Sequence, residues 1–204
     1  MTLNALLTGA GTVTGLAEIG FVSNLTALTV TAQTLSLPST GLAVAGPMSF
    51  TAAGGITVNG AVGNSSGPAT AAITFNGPVT LASGAIAVTT NNAAVNFDST
   101  VNGAEALSVN TGSGTTTFDG AVGASTALTS LSMNAGNTSD ILGGSVHTSG
   151  AQTYGGAVIL GANTTLTGTG VQFGGTVNGA YALTVSDSGT TTFDGCLLYT
   201  SRCV

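Results

Sequence analysis

Val101-Asn102-Gly103-Ala104-Glu105-Ala106-Leu107 returns later in the chain as Val177-Asn178-Gly179-Ala180-Tyr181-Ala182-Leu183. Each copy is followed by Gly-Thr-Thr-Thr-Phe-Asp-Gly, at 114–120 and 189–195. Upstream, Phe75-Asn76-Gly77-Pro78-Val79 matches Tyr154-Gly155-Gly156-Ala157-Val158, and Phe97-Asp98-Ser99-Thr100-Val101 matches Phe173-Gly174-Gly175-Thr176-Val177. The long repeat therefore spans 75 to 79 residues. Inside it runs a shorter unit: an aromatic, two small or polar residues, a free position, then usually valine. Its anchors are Phe75, Phe97, Phe118, Tyr154, Phe173 and Phe193, at steps of 22, 21, 36, 19 and 20. The step of 36 reads as two turns whose middle anchor is replaced by Leu142. The pattern is clearest over 75–195. It is looser over 1–74, where Phe50 and Val58-Asn59-Gly60-Ala61 are its recognisable pieces.

A unit of about 20 residues cannot enclose a core of its own, so neighbouring units must stack and share one. Stacked coils pair each strand with those above and below at about 4.8 Å. Alternation such as Leu107-Ser108-Val109 or Leu183-Thr184-Val185 turns one side chain inward and the next outward. Glycine and asparagine suit the corners, where left-handed backbone is needed. The expected fold is all-β, a parallel β-helix (β-solenoid) of about 20-residue coils over residues 1–195. Nine or ten such coils would span roughly 45–50 Å. The Asn-Gly pairs admit a second reading, type I′ hairpins in an antiparallel sandwich.

Composition agrees with strands and excludes several functions. Of 204 residues only 4% are charged, and 32 are glycine. The hydrophobic fraction is 43% and the mean hydropathy is +0.50, unlike a charge-driven disordered protein. Gly, Thr, Val, Ser and Asn are poor helix formers; Thr and Val favour strands. There is no lysine, which removes the P-loop anchor and any Schiff base. With a net charge of −6, no nucleic-acid or anionic-lipid footprint exists. No apolar run approaches the roughly 20 residues of a membrane span. Met1-Thr2-Leu3-Asn4-Ala5-Leu6-Leu7 lacks the basic and long apolar regions of a signal peptide, so if the protein is exported its signal is expected upstream.

The last nine residues, Cys196-Leu197-Leu198-Tyr199-Thr200-Ser201-Arg202-Cys203-Val204, break with this composition. They hold both cysteines and the one basic side chain. Residues 196–201 resemble the in-frame translation of a transposase sequencing adaptor, so 196–204 is expected to be a non-native tail and 1–195 a fragment of a longer protein. Removing the tail leaves seven acidic residues, no basic one and no cysteine. Redox compartment is then not readable.

Phe118-Asp119-Gly120-Ala121-Val122-Gly123, the Val-Asn-Gly-Ala pieces and Gly150-Ala151-Gln152-Thr153-Tyr154-Gly155-Gly156-Ala157-Val158 resemble segments of filamentous-haemagglutinin-like and autotransporter-type bacterial surface adhesins. The resemblance covers roughly residues 50–195 and rests on repeat style and composition. It implies a right-handed parallel β-helix shaft, an exported Gram-negative protein and a location at the outer-membrane surface or beyond. The family's secretion domain and its carbohydrate-dependent N-terminal domain are not matched.

Chemistry is thinly represented. His147 is the only histidine, with Ser145 and Thr148 as ordinary neighbours, and is expected to be an outward strand residue. No Ser-His-Asp or zinc-binding set can be assembled. Asp98, Asp119 and Asp140 recur at intervals of 21 and 21, which would stack them one coil apart. Three readings stand: a calcium ladder, a carboxylate pair able to hydrolyse a glycoside, or solvated turn residues that discourage side-by-side association. Against a ladder, Asp119 and Asp194 share Phe-Asp-Gly while Phe173 is followed by Gly174. Thr29-Val30-Thr31, Thr115-Thr116-Thr117 and Thr190-Thr191-Thr192 are candidates for outward threonine rows that bind glycan or ice. Asn24, Asn64, Asn137 and Asn163 head N-glycosylation patterns that chance explains in so Asn- and Thr-rich a sequence.

The expected function is non-enzymatic: a structural or adhesive repeat segment providing a rigid extended shaft. The alternatives are a glycan- or ice-binding surface and a polysaccharide-cleaving β-helix. No catalytic, cofactor or metal residue is expected. Expected partners are host-cell or matrix glycans and proteins, or like molecules, with self-association of a fragment whose strand edges are open.

Overall fold

The computed structural model describes residues 26–64 and 71–195 in full, together with the backbone of the strands Thr2–Leu6, Thr12–Val13, Leu197–Tyr199 and Arg202–Cys203. No helix occurs among these residues. The chain winds as a three-faced β-solenoid of about eight turns, roughly 21 residues apart. One coil runs along face A (Ala27–Ala32), face B (Thr34–Ser36) and face C (Leu42–Ala43). The next repeats the order with Met48–Ala52, Ile56–Val58 and Val62–Asn64. Among the described residues every strand pair is parallel except the terminal hairpin Leu198↔Cys203, so the antiparallel sandwich does not form.

Alternation produces the core. Met48–Ala52 and Ile86–Thr90 bury every second residue, beginning with the first. On face A the inward column is Leu28, Met48, Ile73, Val95, Thr116, Ser139, Val158 and Val177, one residue per coil over eight coils. Coil length varies around the repeat, since Met48 registers on Ile73 but Val158 on Val177.

The aromatic anchors divide into two ladders on different faces. Phe50, Phe75, Phe97 and Phe118 stack on face A with centroids 5.5, 5.0 and 5.1 Å apart. Tyr154, Phe173 and Phe193 stack on face C at 5.3 and 4.8 Å. The 36-residue step therefore crosses from one face to another and is not two turns. On face A, Phe118 is followed in register by Ile141 and then Leu160, not by Leu142, which is 41% exposed. The two ladders complement each other in volume. Where face A carries phenylalanine, face C carries Val88, Val109 and Met133; where face A shrinks to Ile141 and Leu160, face C widens to Tyr154 and Phe173. A core packed to crystal-like density requires such an exchange.

The long repeat has the same geometry. Phe75 lies on face A and its counterpart Tyr154 on face C; Val101 lies on B and its counterpart Val177 on A. The second copy is displaced by three full turns and two further faces. It still fits because each face asks for the same pattern of inward and outward residues. Aromatic-small-small-X-Val is thus a corner motif that serves the A-to-B corner in one copy and the C-to-A corner in the other.

Face B is interrupted. Its strands form one set ending at Val101–Asn102 and another beginning at Ser145–His147, and only the isolated bridges Val101↔Val122↔Val146 connect them. Gly123, at φ +72°, makes this passage, and a side chain there would collide with the His147 carbonyl. At Gly156 a Cβ would likewise strike the backbone of Asn137 one coil below. At such corners glycine permits close stacking of coils.

Candidate functional surface

The outward residues decide what the solenoid presents to a partner. On face A the outward column reads Thr29, Ser49, Thr74, Asn96, Thr117, Asp140, Ile159 and Asn178. Hydroxyls, amides, a carboxylate and an aliphatic side chain succeed one another, so no regular threonine row forms. Thr116 points the other way and is fully buried, with no hydrogen-bond partner for its hydroxyl. On face C the column Ala87, Ser108, Ser132, Thr153, Gln172 and Thr192 is equally mixed.

The three aspartates do not form one ladder. Because Phe97 registers on Phe118, Asp98 and Asp119 lie on adjacent coils at the A-to-B corner, both exposed. Burial first, and then the Asp119 charge, raise the Asp98 carboxyl above its ordinary range. The next coil is two residues longer, so Leu142 follows Asp119, while Asp140 lies within the strand between Thr117 and Ile159. Burial raises the Asp140 carboxyl as well, and its Oδ1 is enclosed without a partner. Asp194 belongs to face C and accepts a hydrogen bond from Gln172 Nε2 at 2.8 Å. Gly174 is no gap in an aspartate ladder, because Phe173 turns the C-to-A corner and Phe118 the A-to-B corner. Among the described residues no three His, Cys, Asp or Glu side chains converge as metal ligands.

His147 is exposed at the end of a face-B strand and registers on Thr167. Its neighbour Thr148 is buried and joins an interior network that sequence reading missed. Tyr154 Oη donates to Gln152 Oε1 at 2.9 Å. Gln152 Nε2 donates to the Thr167 carbonyl at 2.9 Å and approaches Thr148 Oγ1 at 3.2 Å. Gln152 and Tyr154 are both fully buried, and burial pushes the Tyr154 phenol up. The period-2 alternation around Tyr154 marks both residues as inward, which was the available signal. The network satisfies its own polar atoms and exposes no group to a substrate.

Asparagine has a different corner role from the one expected. Only Asn92 among non-glycine residues adopts positive φ in the described segments. Several others join coils through their side chains. Asn59 Nδ2 donates to the Leu37 carbonyl at 2.8 Å, Asn134 Nδ2 to the Gly112 carbonyl at 2.8 Å, and Asn163 Oδ1 accepts from Ala182 N–H at 3.0 Å. Two residues of the N-glycosylation patterns, Asn64 and Asn137, are buried, and Asn64 donates to the Ala71 and Gly46 carbonyls. Asn24 and most of the adaptor-like tail lie outside the described residues. Among the described residues no helix is long and apolar enough to cross a membrane. No protein-family model, curated protein or solved structure matches the sequence.

Proposed function

We propose that the protein is a non-enzymatic structural segment of a secreted or cell-surface bacterial protein, serving as a rigid shaft. The observation that carries this reading is the uninterrupted inward column of face A, with parallel register kept through eight coils. A solenoid of that kind turns residue count into reach, about 40 Å here at the strand spacing of a sheet. The extracellular setting, and adhesion to host or matrix glycans and proteins, rest on the adhesin-like repeats alone. The mixed outward columns favour reach over recognition of a regular lattice. The shaft reading expects no saturable binding on a glycan array, no ice-growth inhibition and no release of reducing ends from pectin or other polysaccharides. Saturable binding of one glycan class would replace it with an adhesive reading, and turnover would replace it with an enzymatic one. Phe193, 40% exposed where Phe173 is fully covered, offers an apolar surface that favours self-association. Sedimentation at rising concentration should then show oligomers, and a strict monomer would count against it.

A further inference from the structure

Four Asn-Gly pairs occur in the sequence, at 59–60, 76–77, 102–103 and 178–179. All four lie where a strand runs out into a corner. Asn76, Asn102 and Asn178 each end a strand, and Asn59 directly follows one. Three share Val-Asn-Gly-Ala and Asn76 lies in Phe-Asn-Gly-Pro, so Asn59, Asn102 and Asn178 have the same local sequence, yet their side chains are held differently. Asn59 Nδ2 donates to Ser36 Oγ at 3.0 Å and to the Leu37 carbonyl at 2.8 Å. Asn76 Nδ2 donates to Ser49 Oγ and Thr51 Oγ1, each at 3.3 Å. Asn102 Oδ1 accepts from the backbone N–H of Ser125 at 2.9 Å and of Thr126 at 3.3 Å. These three are half-buried and bonded to a neighbouring coil. Asn178 is exposed, and among the described residues its side chain bonds only to the N–H of Gly179, at 2.8 Å.

We propose that Asn178 is a site of spontaneous backbone-assisted deamidation, selected from the four pairs by the fold. The Gly179 nitrogen is already against the Asn178 side-chain amide. Once hydroxide removes its proton, that nitrogen bonds to Asn178 Cγ. The Cγ–Nδ2 bond breaks and ammonia leaves, closing a five-membered succinimide. Water then opens one of the two ring carbonyls, leaving aspartate or isoaspartate; no oxidant or reductant takes part. Keeping the side-chain amide beside the glycine nitrogen lowers the entropic cost of closing the ring. At the other three sites the inter-coil hydrogen bonds must break before Cγ can turn toward the glycine nitrogen. The glycine itself is required by the fold: Gly179 has φ +138°, and a Cβ there would strike the Leu160 carbonyl. The side chains that slow ring closure are therefore barred from position 179. The product places a negative charge beside Ile159 on the outward column of face A.

The test is to hold the folded protein in mildly alkaline buffer and follow all four pairs by mass spectrometry of chymotryptic peptides. Asn178 should convert at least about tenfold faster than Asn59, Asn76 or Asn102, the factor expected from the hydrogen bonds the others must lose. In concentrated urea the four rates should converge. Equal rates in the folded protein, or a faster site among the other three, would overturn the proposal. So would a lead for Asn178 that persists in urea, because the selection would then be local sequence and not the fold.

Discussion

Thr116 and Asp98 show how single side chains sit in tension with the coil stack. Thr116 occupies an inward position whose neighbour below is Val95, and its buried hydroxyl has no partner. Thr116→Val removes an unsatisfied polar atom at nearly constant shape and should stabilise the protein by about 1 kcal/mol, read as a higher urea midpoint at unchanged slope. Lower stability would show that the hydroxyl is bonded in solution. Asp98 is held above its ordinary pKa of 3.8 by burial and by Asp119. A carboxyl raised on folding binds its proton more tightly in the native state. Its favourable contribution is complete below the unfolded value and is lost as pH climbs through the raised one. Asp98→Asn should therefore stabilise the protein at neutral pH by about 0.5 kcal/mol, the scale of like charges on neighbouring strands once solvent screening is allowed for. The gain should fade in acid below the ordinary carboxyl pKa. Thermal melts at the two pH values check this, and a gain of equal size at both would refute the charge explanation.

At the scale of the element, the aromatic ladders carry the packing. Phe97 is buried between Phe75 and Phe118, nearly parallel to each at 4° and 5°. Phe97→Ala should cost about 3–5 kcal/mol, because a coil held on both sides cannot collapse into the hole. Phe193, exposed on one side, should cost markedly less on the same substitution. Similar losses at both sites, measured by denaturant unfolding, would mean that the ladders contribute less than their burial suggests. The strands themselves were legible from residues such as Leu107-Ser108-Val109. Their face was not, because inward and outward alternation is identical on all three faces. Asp140 illustrates the consequence. Its interval of 21 residues from Asp119 matches the mean coil, but the coil it belongs to is two residues longer, and that difference moves it from a corner into a strand.

The whole molecule behaves as a stack of nearly interchangeable coils, and this can be tested by excision. Val95 registers on Thr116, so removing residues 95–115 deletes one complete coil and lets Thr116 take the pairing of Val95 with Ile73. Phe118 then rests on Phe75. The shortened protein should keep its β circular dichroism and lose about one-eighth of its denaturant slope, as expected when stability sums over coils. Removing only residues 95–104 keeps the alternation but sets Leu107 of face C on the face-A phenylalanine ladder, where side-chain volumes no longer match, and should cost more stability than the whole-coil excision. An equal or smaller loss from the partial excision, or collapse after the whole-coil excision, would deny that coils are the unit of stability.

Repeat length, alternation and the absence of chemical side chains are local properties, and the linear order of residues was enough to specify them: an all-β protein of stacked coils with a shared apolar interior. Folding in three dimensions settled which corner each repeated motif occupies, that the aromatic anchors form two ladders and not one, that Asp140 leaves the company of Asp98 and Asp119, and which asparagines are bonded to the next coil. The physical reason is that register between coils depends on the summed lengths of all the corners between two residues. One or two extra residues in a corner change every neighbour above it while leaving the local pattern untouched.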